Sequence, residues 1–203
     1  MGANKRSYDV IVIGAGSVGV PAAYFLARSG LSVLVLDRCS SVGQGANKAA
    51  IGGVRATHSD TAKIRIGLKS IEILSNWQAR HGDNIEWYTG GYTFVAYGQR
   101  ERETLESLLT VQQSYGLNID WLDQDALLEA VPALEPRGLL GGTFSPEDGS
   151  ASPLLALHAF YAHARRHGAE FRFAETVHGI DVENGRIGGV ETDRGRYSSA
   201  VVI

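Results

Sequence analysis

The stretch "YDVIVIGAGSVGVPAAYFL" constrains this chain more than anything else in it. A short β-branched run leads into Gly14, Gly16 and Gly19, and an alanine-rich amphipathic segment follows at once. Residues 8–13 read as a buried strand, being apolar and bounded by glycine. The next segment reads as a helix with Val18, Ala22, Phe25 and Leu26 on one face, stopped at Gly30. Pro21 falls in its first turn, where N–H groups have no intrahelical partner, and is tolerated there. "LSVLVLD" is a second buried strand ending at Asp37. Two buried strands joined by a helix make a βαβ unit with parallel pairing.

Each glycine has its own task. Gly14 allows the tight turn out of the strand, Gly16 leaves room for a pyrophosphate near the backbone, and Gly19 permits close helix–strand packing. The phosphates would face free N–H groups at the positive end of the helix. Asp37 ends the next strand, eighteen positions beyond Gly19, where a carboxylate can accept hydrogen bonds from a ribose diol. Strand, turn, helix and acid together point to a dinucleotide site. FAD and NAD share the ADP half, so these residues leave both open.

The rest of the chain narrows the choice. A nicotinamide enzyme would normally continue with further βαβ repeats. Here Asp37 is followed by "RCSSVGQGANKAAIGGVRATHSD", a long Gly/Ala/Ser-rich loop of a length that is functional or disordered in compact domains. Ser59 or Asp60 can cap a helix through "TAKIRIGLKSIEILSNWQARHG", with Ile64, Leu68, Ile71, Leu74 and Trp77 on its apolar face. "IEWYTGGYTFVAYG" reads as two strands around a glycine turn, and "QRERETLESLLTVQQSYG" as a polar surface helix. Short extended pieces at "LNIDWL" and "GGTFSPEDG" surround a small helix at "DQDALLEAV"; "SPLLALHAFYAHARRHG" is a longer helix. The closing stretch from "AEFRF" onward reads as a β-meander with turns at Asn184-Gly185 and Arg194-Gly195.

Bulk properties exclude several classes. With 203 residues, 44% hydrophobic, the chain suits one or two globular domains with a real core. A net charge of −3 gives no basic field for nucleic acid or an anionic membrane. The single cysteine, Cys39, rules out an internal disulfide or a multi-cysteine metal site, and a reducing cytoplasm fits it. "VIVI" is too short for an export signal, no stretch approaches a membrane span, and the Met-Gly start with Ser7 matches an acylation signal only loosely.

The chain resembles the flavin-dependent amino-acid and amine oxidoreductases, the family of D-amino acid oxidase, glycine oxidase and the sarcosine oxidase β-subunit. The resemblance is carried by the opening βαβ stretch, the loop "GQGANKAAIGG", the segment "LEPRGLLGGTFSPEDGSASPLLALHAFYAHARRHGAEF" and the closing "TVHGIDVENGRIGGVETDRGRYSSAVVI". It implies a Rossmann-like FAD-binding α/β domain with a parallel sheet, helices and a β-meander, into which an α+β substrate domain is inserted. The division expected is 1–84 and 150–203 for the FAD-binding domain and 85–149 for the substrate segment. Backbone at Ser17 and Val18 would meet the pyrophosphate; Asp37 and Arg38 would border the adenosine ribose. Gly45, Ala46, Asn47, Lys48, Ala50, Ile51, Gly52 and Gly53 would run along the pyrophosphate toward the isoalloxazine. Val177 would present its backbone to the adenine.

The implied activity is oxidation of the C–N bond of a small amine or amino acid, with electrons passing to oxygen or another acceptor. A partner subunit or a homo-oligomer fits this picture. Arg55 and His58 follow the flavin loop as candidates for the substrate side, with Tyr92 as a third. Cys39 would lie near the adenine end. His163 and His167 have the i,i+4 spacing of metal ligands but no evident companion, so no metal is expected. The family's meander leads into a last strand and a turn near the cofactor, whereas this sequence stops at "SSAVVI"; a truncated chain is the expectation. Alternatives are an FAD-dependent dehydrogenase of a hydroxy acid or glycerol 3-phosphate, a non-catalytic flavin-binding subunit, and an NAD(P)-dependent reductase.

Overall fold

The computed structural model describes residues 7–203; the Met1-Gly2 start lies outside the described residues. The chain opens with β1 (Val10–Ile13), α1 (Gly19–Arg28), β2 (Val33–Asp37), a 3-10 turn (Ala46–Ala49) and β3 (Gly53–Val54). Then come α2 (Thr61–Ser75), α3 (Trp77–His81), β4 (Tyr88–Thr89), β5 (Tyr92–Ala96), α4 (Gln99–Ser114), β6 (Asp120–Leu122) and α5 (Gln124–Ala130). The last part holds β7 (Gly141–Ser145), β8 (Gly149–Ser150), α6 (Pro153–Arg166), β9 (Glu170–Phe173) and the strands β10 (Val177–Glu183), β11 (Arg186–Thr192) and β12 (Gly195–Ser198). These elements form two compact units, Met1–Ile51 with Pro153–Ile203, and Gly52–Ser152.

In the first unit β1 pairs parallel with β2, Val10 opposite Val33, and β2 pairs parallel with β9. The two central strands are apolar because a parallel sheet with covered faces leaves them no wet side. Residues 201–203 extend the sheet on the far side of β1: Ile11 N–H donates to Val201 O at 3.0 Å, and Ile203 N–H to Ile11 O at 2.9 Å. "SSAVVI" thus supplies a parallel partner for β1. Ile11, Leu34, Leu36, Val190 and Tyr197 share one core cluster. At its margin Tyr8 donates to Glu170 Oε2 at 2.8 Å, and burial together with that carboxylate pushes the Tyr8 hydroxyl up to about 12.

Two expectations need correcting here. The meander is β10–β11–β12, antiparallel throughout, and the "EFRF" strand does not belong to it. β9 extends the parallel sheet instead, since α6 returns the chain to the β2 edge as a crossover helix does. The buried face of α1 is also not the one expected: Gly19, Val20, Ala23, Tyr24 and Ala27 are buried, while Val18 is 78% and Phe25 40% exposed. Small residues let α1 approach its neighbours closely, so the helix turns its alanines inward and leaves a larger apolar residue at the edge.

In the second unit β3 and β4 flank β8, and β5 and β6 flank β7, all antiparallel. "YTGGYTFVA" therefore yields two strands that do not form a hairpin; Gly91 N–H donates to Asp148 O at 2.8 Å, and β4 and β5 enter different sheets. The long helix expected after Asp60 is capped by that residue, whose Oδ1 accepts Lys63 N–H at 2.9 Å. It breaks at Asn76, which donates from Nδ2 to Glu72 O at 2.9 Å. Ile64, Ile71 and Trp77 are buried as their spacing implies. By compactness the chain divides at 51/52. Residues 52–84 join the second unit because β3 pairs with β8 and Gly67 of α2 lies against Arg55 and Ala56, too close for a Cβ.

Candidate functional site

The chain leaves β1 at Gly14, whose φ of +107° favours glycine. Gly14 N–H still bonds Leu36 O at 2.8 Å, which fixes where the turn begins. At Gly14 and Gly16 a Cβ would meet nothing within 4 Å, so open space borders the backbone. Gly19 differs: a Cβ there would collide with the Gly14 carbonyl oxygen. α1 starts with no side chain capping it and no acid in its first turn. The backbone N–H groups of Ser17 and Val18 find no acceptor among the described residues. Unpaired donors at the positive end of a helix, beside a backbone stripped of side chains, fit a pyrophosphate.

Asp37 closes the turn from the other side. Its Oδ2 accepts Ala15 N–H at 2.6 Å and its Oδ1 accepts Cys39 N–H at 2.7 Å. A carboxylate has about four acceptor sites, so two bonds to the loop leave capacity for a ribose diol. Asp37 and Arg38 line a cavity of about 290 Å³ with Ile13, Gly14, Leu36, Glu175, Thr176 and Val177. Glu175 and Thr176 escaped the sequence reading; only their place beside Val177 pointed to them. Glu175 is buried, its N–H donates to Asp37 O at 3.0 Å and its Oε1 accepts Thr192 Oγ1–H at 2.7 Å. Burial and the Glu175 acceptor raise the Tyr197 hydroxyl above its usual value.

Most of the expected cofactor loop is exposed. Asn47 is buried and donates from Nδ2 to Pro153 O at 3.2 Å, tying the 3-10 turn to the start of α6. Gly45, Ala46, Lys48 and Ala50 face solvent, and Ile51 is 98% exposed. Gly52 and Gly53 belong to the second unit, where Gly52 O accepts Ala151 N–H at 3.0 Å and Gly53 faces Ser150. The structure therefore gathers Gly14, Gly16, Gly19, Asp37, Arg38 and Val177 in one unit and leaves Gly52 and Gly53 in the other.

The second unit has a cavity of its own, about 220 Å³. Arg55, Thr57, His58 and Ser59 form one wall, α4 contributes Leu105, Leu108 and Gln112, and Phe94 and Thr143 complete it. The Arg55 guanidinium lies 5.0 Å from the Tyr92 ring centre and 4.9 Å from that of Phe94. Tyr92 thus meets this region through Arg55. Behind the wall, buried Asp148 accepts Ala56 N–H at 3.2 Å and Thr57 Oγ1–H at 2.8 Å. Burial raises the Asp148 carboxyl above its usual range, against the pull of those hydrogen bonds. Burial, then the charges of Arg55 and Lys63, lower His58, favouring a neutral imidazole. Thr57, Gln112, Thr143 and Asp148 carried no motif; only the "PEDGSASP" segment marked the last of them.

The other singled-out residues lie elsewhere. Cys39 sits beside Asp37, and the rings of His163 and His167 flank Tyr24 at 6.2 and 5.9 Å. Among the described residues no three His, Cys, Asp or Glu side chains gather as a metal site would. No helix among them is long and apolar enough to cross a membrane.

Residues 9–203 match the family described as FAD dependent oxidoreductase. A FAD-dependent oxidoreductase domain-containing protein 1 homolog of Drosophila melanogaster is 29% identical over 83% of this chain and 34% of its own length. A D-amino acid dehydrogenase of Rhizobium johnstonii is 29% identical over 96% of this chain and 60% of its own. Among solved structures, L-proline dehydrogenase from P. horikoshii superposes with a TM-score of 0.90 at 28% identity, covering 98% of this chain and 52% of that one. The chain thus spans between a third and three fifths of the length of these relatives.

Proposed function

The chain belongs to the FAD dependent oxidoreductase family, and on that premise we propose that it holds FAD in its first unit and serves an enzyme oxidising the C–N bond of a small amine or amino acid. The observation that carries this reading is the uncapped start of α1 behind the side-chain-free backbone of Gly14 and Gly16, closed by Asp37. Ser17 and Val18 donate their N–H groups to the pyrophosphate, and Asp37 accepts from the ribose while keeping the turn in shape. Arg38, Glu175, Thr176 and Val177 enclose the adenosine end. Gly45 to Lys48, Ala50 and Ile51 follow the pyrophosphate toward the ring. The functional division is 1–84 with 150–203 for the cofactor and 85–149 for the substrate.

FAD held there would supply the acceptor for a hydride equivalent from the carbon beside the amine nitrogen, leaving an imine for water to hydrolyse. Arg55 supplies a fixed positive charge on the substrate side, and His58 an uncharged ring that can hold or pass a proton. The names of two relatives, D-amino acid dehydrogenase and L-proline dehydrogenase, support a C–N substrate. Electrons then pass to oxygen or to another acceptor, in a homo-oligomer or with a partner subunit. A reducing compartment such as the cytoplasm suits the single cysteine.

The test is anaerobic. The chain is saturated with FAD and mixed with amino acids, amines, 2-hydroxy acids and glycerol 3-phosphate. Loss of visible flavin absorbance with the nitrogen compounds alone is the expected result. Bleaching by hydroxy acids or glycerol 3-phosphate overturns the substrate class. Bleaching by none assigns the chain a flavin-holding role without chemistry.

A further inference from the structure

Ala174 carries a φ of +52°, a left-handed conformation that glycine adopts freely and alanine does not. It is exposed, so no burial offsets the cost. A strained residue persists only where its surroundings fix it, and such residues gather at sites that clamp a ligand. Ala174 begins the crossing of residues 174–176, which leads from β9 to β10. Glu175 and Thr176 of that crossing line the cavity shared by Asp37, Arg38 and Val177.

The crossing is held from two sides. Toward β2, Ala174 N–H donates to Cys39 O at 2.8 Å and Glu175 N–H to Asp37 O at 3.0 Å. On the other side stands the turn that joins β11 to β12. Asp193 N–H donates to Thr176 O at 3.1 Å, while Asp193 Oδ1 accepts Thr176 N–H at 3.1 Å. Arg194 donates from Nη2 to Ala174 O at 2.6 Å, and Thr192 donates from Oγ1 to Glu175 Oε1 at 2.7 Å. The Tyr197 hydroxyl, which also takes the buried Glu175 carboxylate as acceptor, is itself bonded by Arg172 Nη1 at 2.8 Å. Residues 174–176 belong to no strand, so sheet pairing asks for none of these bonds.

We propose that the β11–β12 turn is a clamp for the nucleotide: Thr192 and Arg194 are positioning residues that hold residues 174–177 in the strained form that shapes the Asp37 cavity, and they thereby set the affinity for an adenosine nucleotide. Neither residue lines the cavity; Thr192 acts through Glu175 and Arg194 through Ala174. That the nucleotide is FAD rests on the function proposed above, whereas the clamp needs only the adenosine half.

Strain makes the clamp testable. Without Arg194, Ala174 relaxes toward negative φ and carries the next residues with it. The binding-competent form becomes a fraction of the population, and the apparent affinity falls by that fraction. Glycine has no such bias, so Ala174→Gly lets the crossing keep its form under a weakened clamp. An Arg194 that met the phosphates directly predicts no rescue of that kind, and its charge predicts nothing for the neutral change Thr192→Val.

The experiment titrates the purified chain with FAD by flavin fluorescence and with ADP by calorimetry, at a temperature where every variant is folded, with thermal melts alongside. Arg194→Gln and Thr192→Val should each lose about three- to tenfold in affinity, by the same factor for both ligands. Arg194 is exposed, so Arg194→Gln should hardly move the melting temperature, and Arg194→Lys should retain the affinity. Adding Ala174→Gly to Arg194→Gln should recover most of the loss. Wild-type affinity in either single variant, a loss confined to FAD, or a loss that Ala174→Gly leaves standing overturns the proposal. A wild type that takes up FAD while its variants bind equally well keeps the proposed function and loses this inference. A wild type that binds ADP but not FAD, and whose variants lose ADP as stated, does the opposite; one that binds neither overturns both.

Discussion

In the first unit the glycine turn itself is written in residues 14–19 and held by Asp37, with Glu175 to Val177 brought to the same cavity by the fold, and much of what the turn offers is backbone. The cavity of the second unit draws its lining from residues scattered between Arg55 and Thr143. The acid in each region behaves differently as well. Asp37 holds two loop N–H groups and faces a cavity, whereas Asp148 is wholly buried and spends its oxygens on Ala56 and Thr57. A backbone site must be written contiguously, because only a fixed spacing of glycines shapes one turn. A side-chain site is assembled by topology and leaves no such trace.

If that contrast is right, damage to each region is local, and the two can be told apart. The largest effect is expected for Gly19→Val, whose side chain would drive into the Gly14 carbonyl. It destabilises by about 3 kcal/mol or more in urea unfolding, the upper end for overpacking, and abolishes FAD uptake. Asp148→Ala leaves the Ala56 N–H and Thr57 hydroxyl unpaired in the second unit and lowers stability by about 2–4 kcal/mol. Asp37→Ala releases the loop at Ala15 and Cys39, a loss of about 2 kcal/mol, together with weaker FAD binding in a fluorescence titration. Comparable FAD loss in Asp148→Ala would break the contrast.

Two smaller effects sharpen it. Burial holds the Asp148 carboxyl above the ordinary value of 3.8, so folding favours its protonated form. The stabilisation is complete below 3.8 and is lost as pH climbs through the raised value. Melting temperatures of the wild type should therefore fall across that interval relative to those of Asp148→Asn, which cannot ionise. The smallest effect is a titration. His58 should show a pKa below 6.5 by NMR, and Arg55→Gln should move it upward by removing a neighbouring positive charge.

The sequence was informative where physics is local. Gly14 and Gly19 can be placed from residue type and spacing alone, and the cap narrows to Ser59 or Asp60, because each answers to a steric or hydrogen-bonding demand within a few positions. The helices α4 to α6 and the meander followed from period and turn signals. Errors arose where partners are distant. β9 reads from its sequence position as part of the meander, yet it pairs with β2. The helical spacing of α1 groups Val18, Ala22, Phe25 and Leu26, whereas the face that packs carries Gly19, Val20, Ala23, Tyr24 and Ala27. Thr57, Gln112 and Thr143 meet only through the fold, and nothing in their own neighbourhoods announces a cavity.

The central claim is that the glycine turn holds FAD, and a visible absorption spectrum of the purified chain tests it most directly, with the released nucleotide identified after denaturation. The account predicts a flavin spectrum, as isolated or after adding FAD, with intact FAD released in proportion to the chain. A chain that takes up no FAD, or that releases a nicotinamide dinucleotide instead, would contradict it.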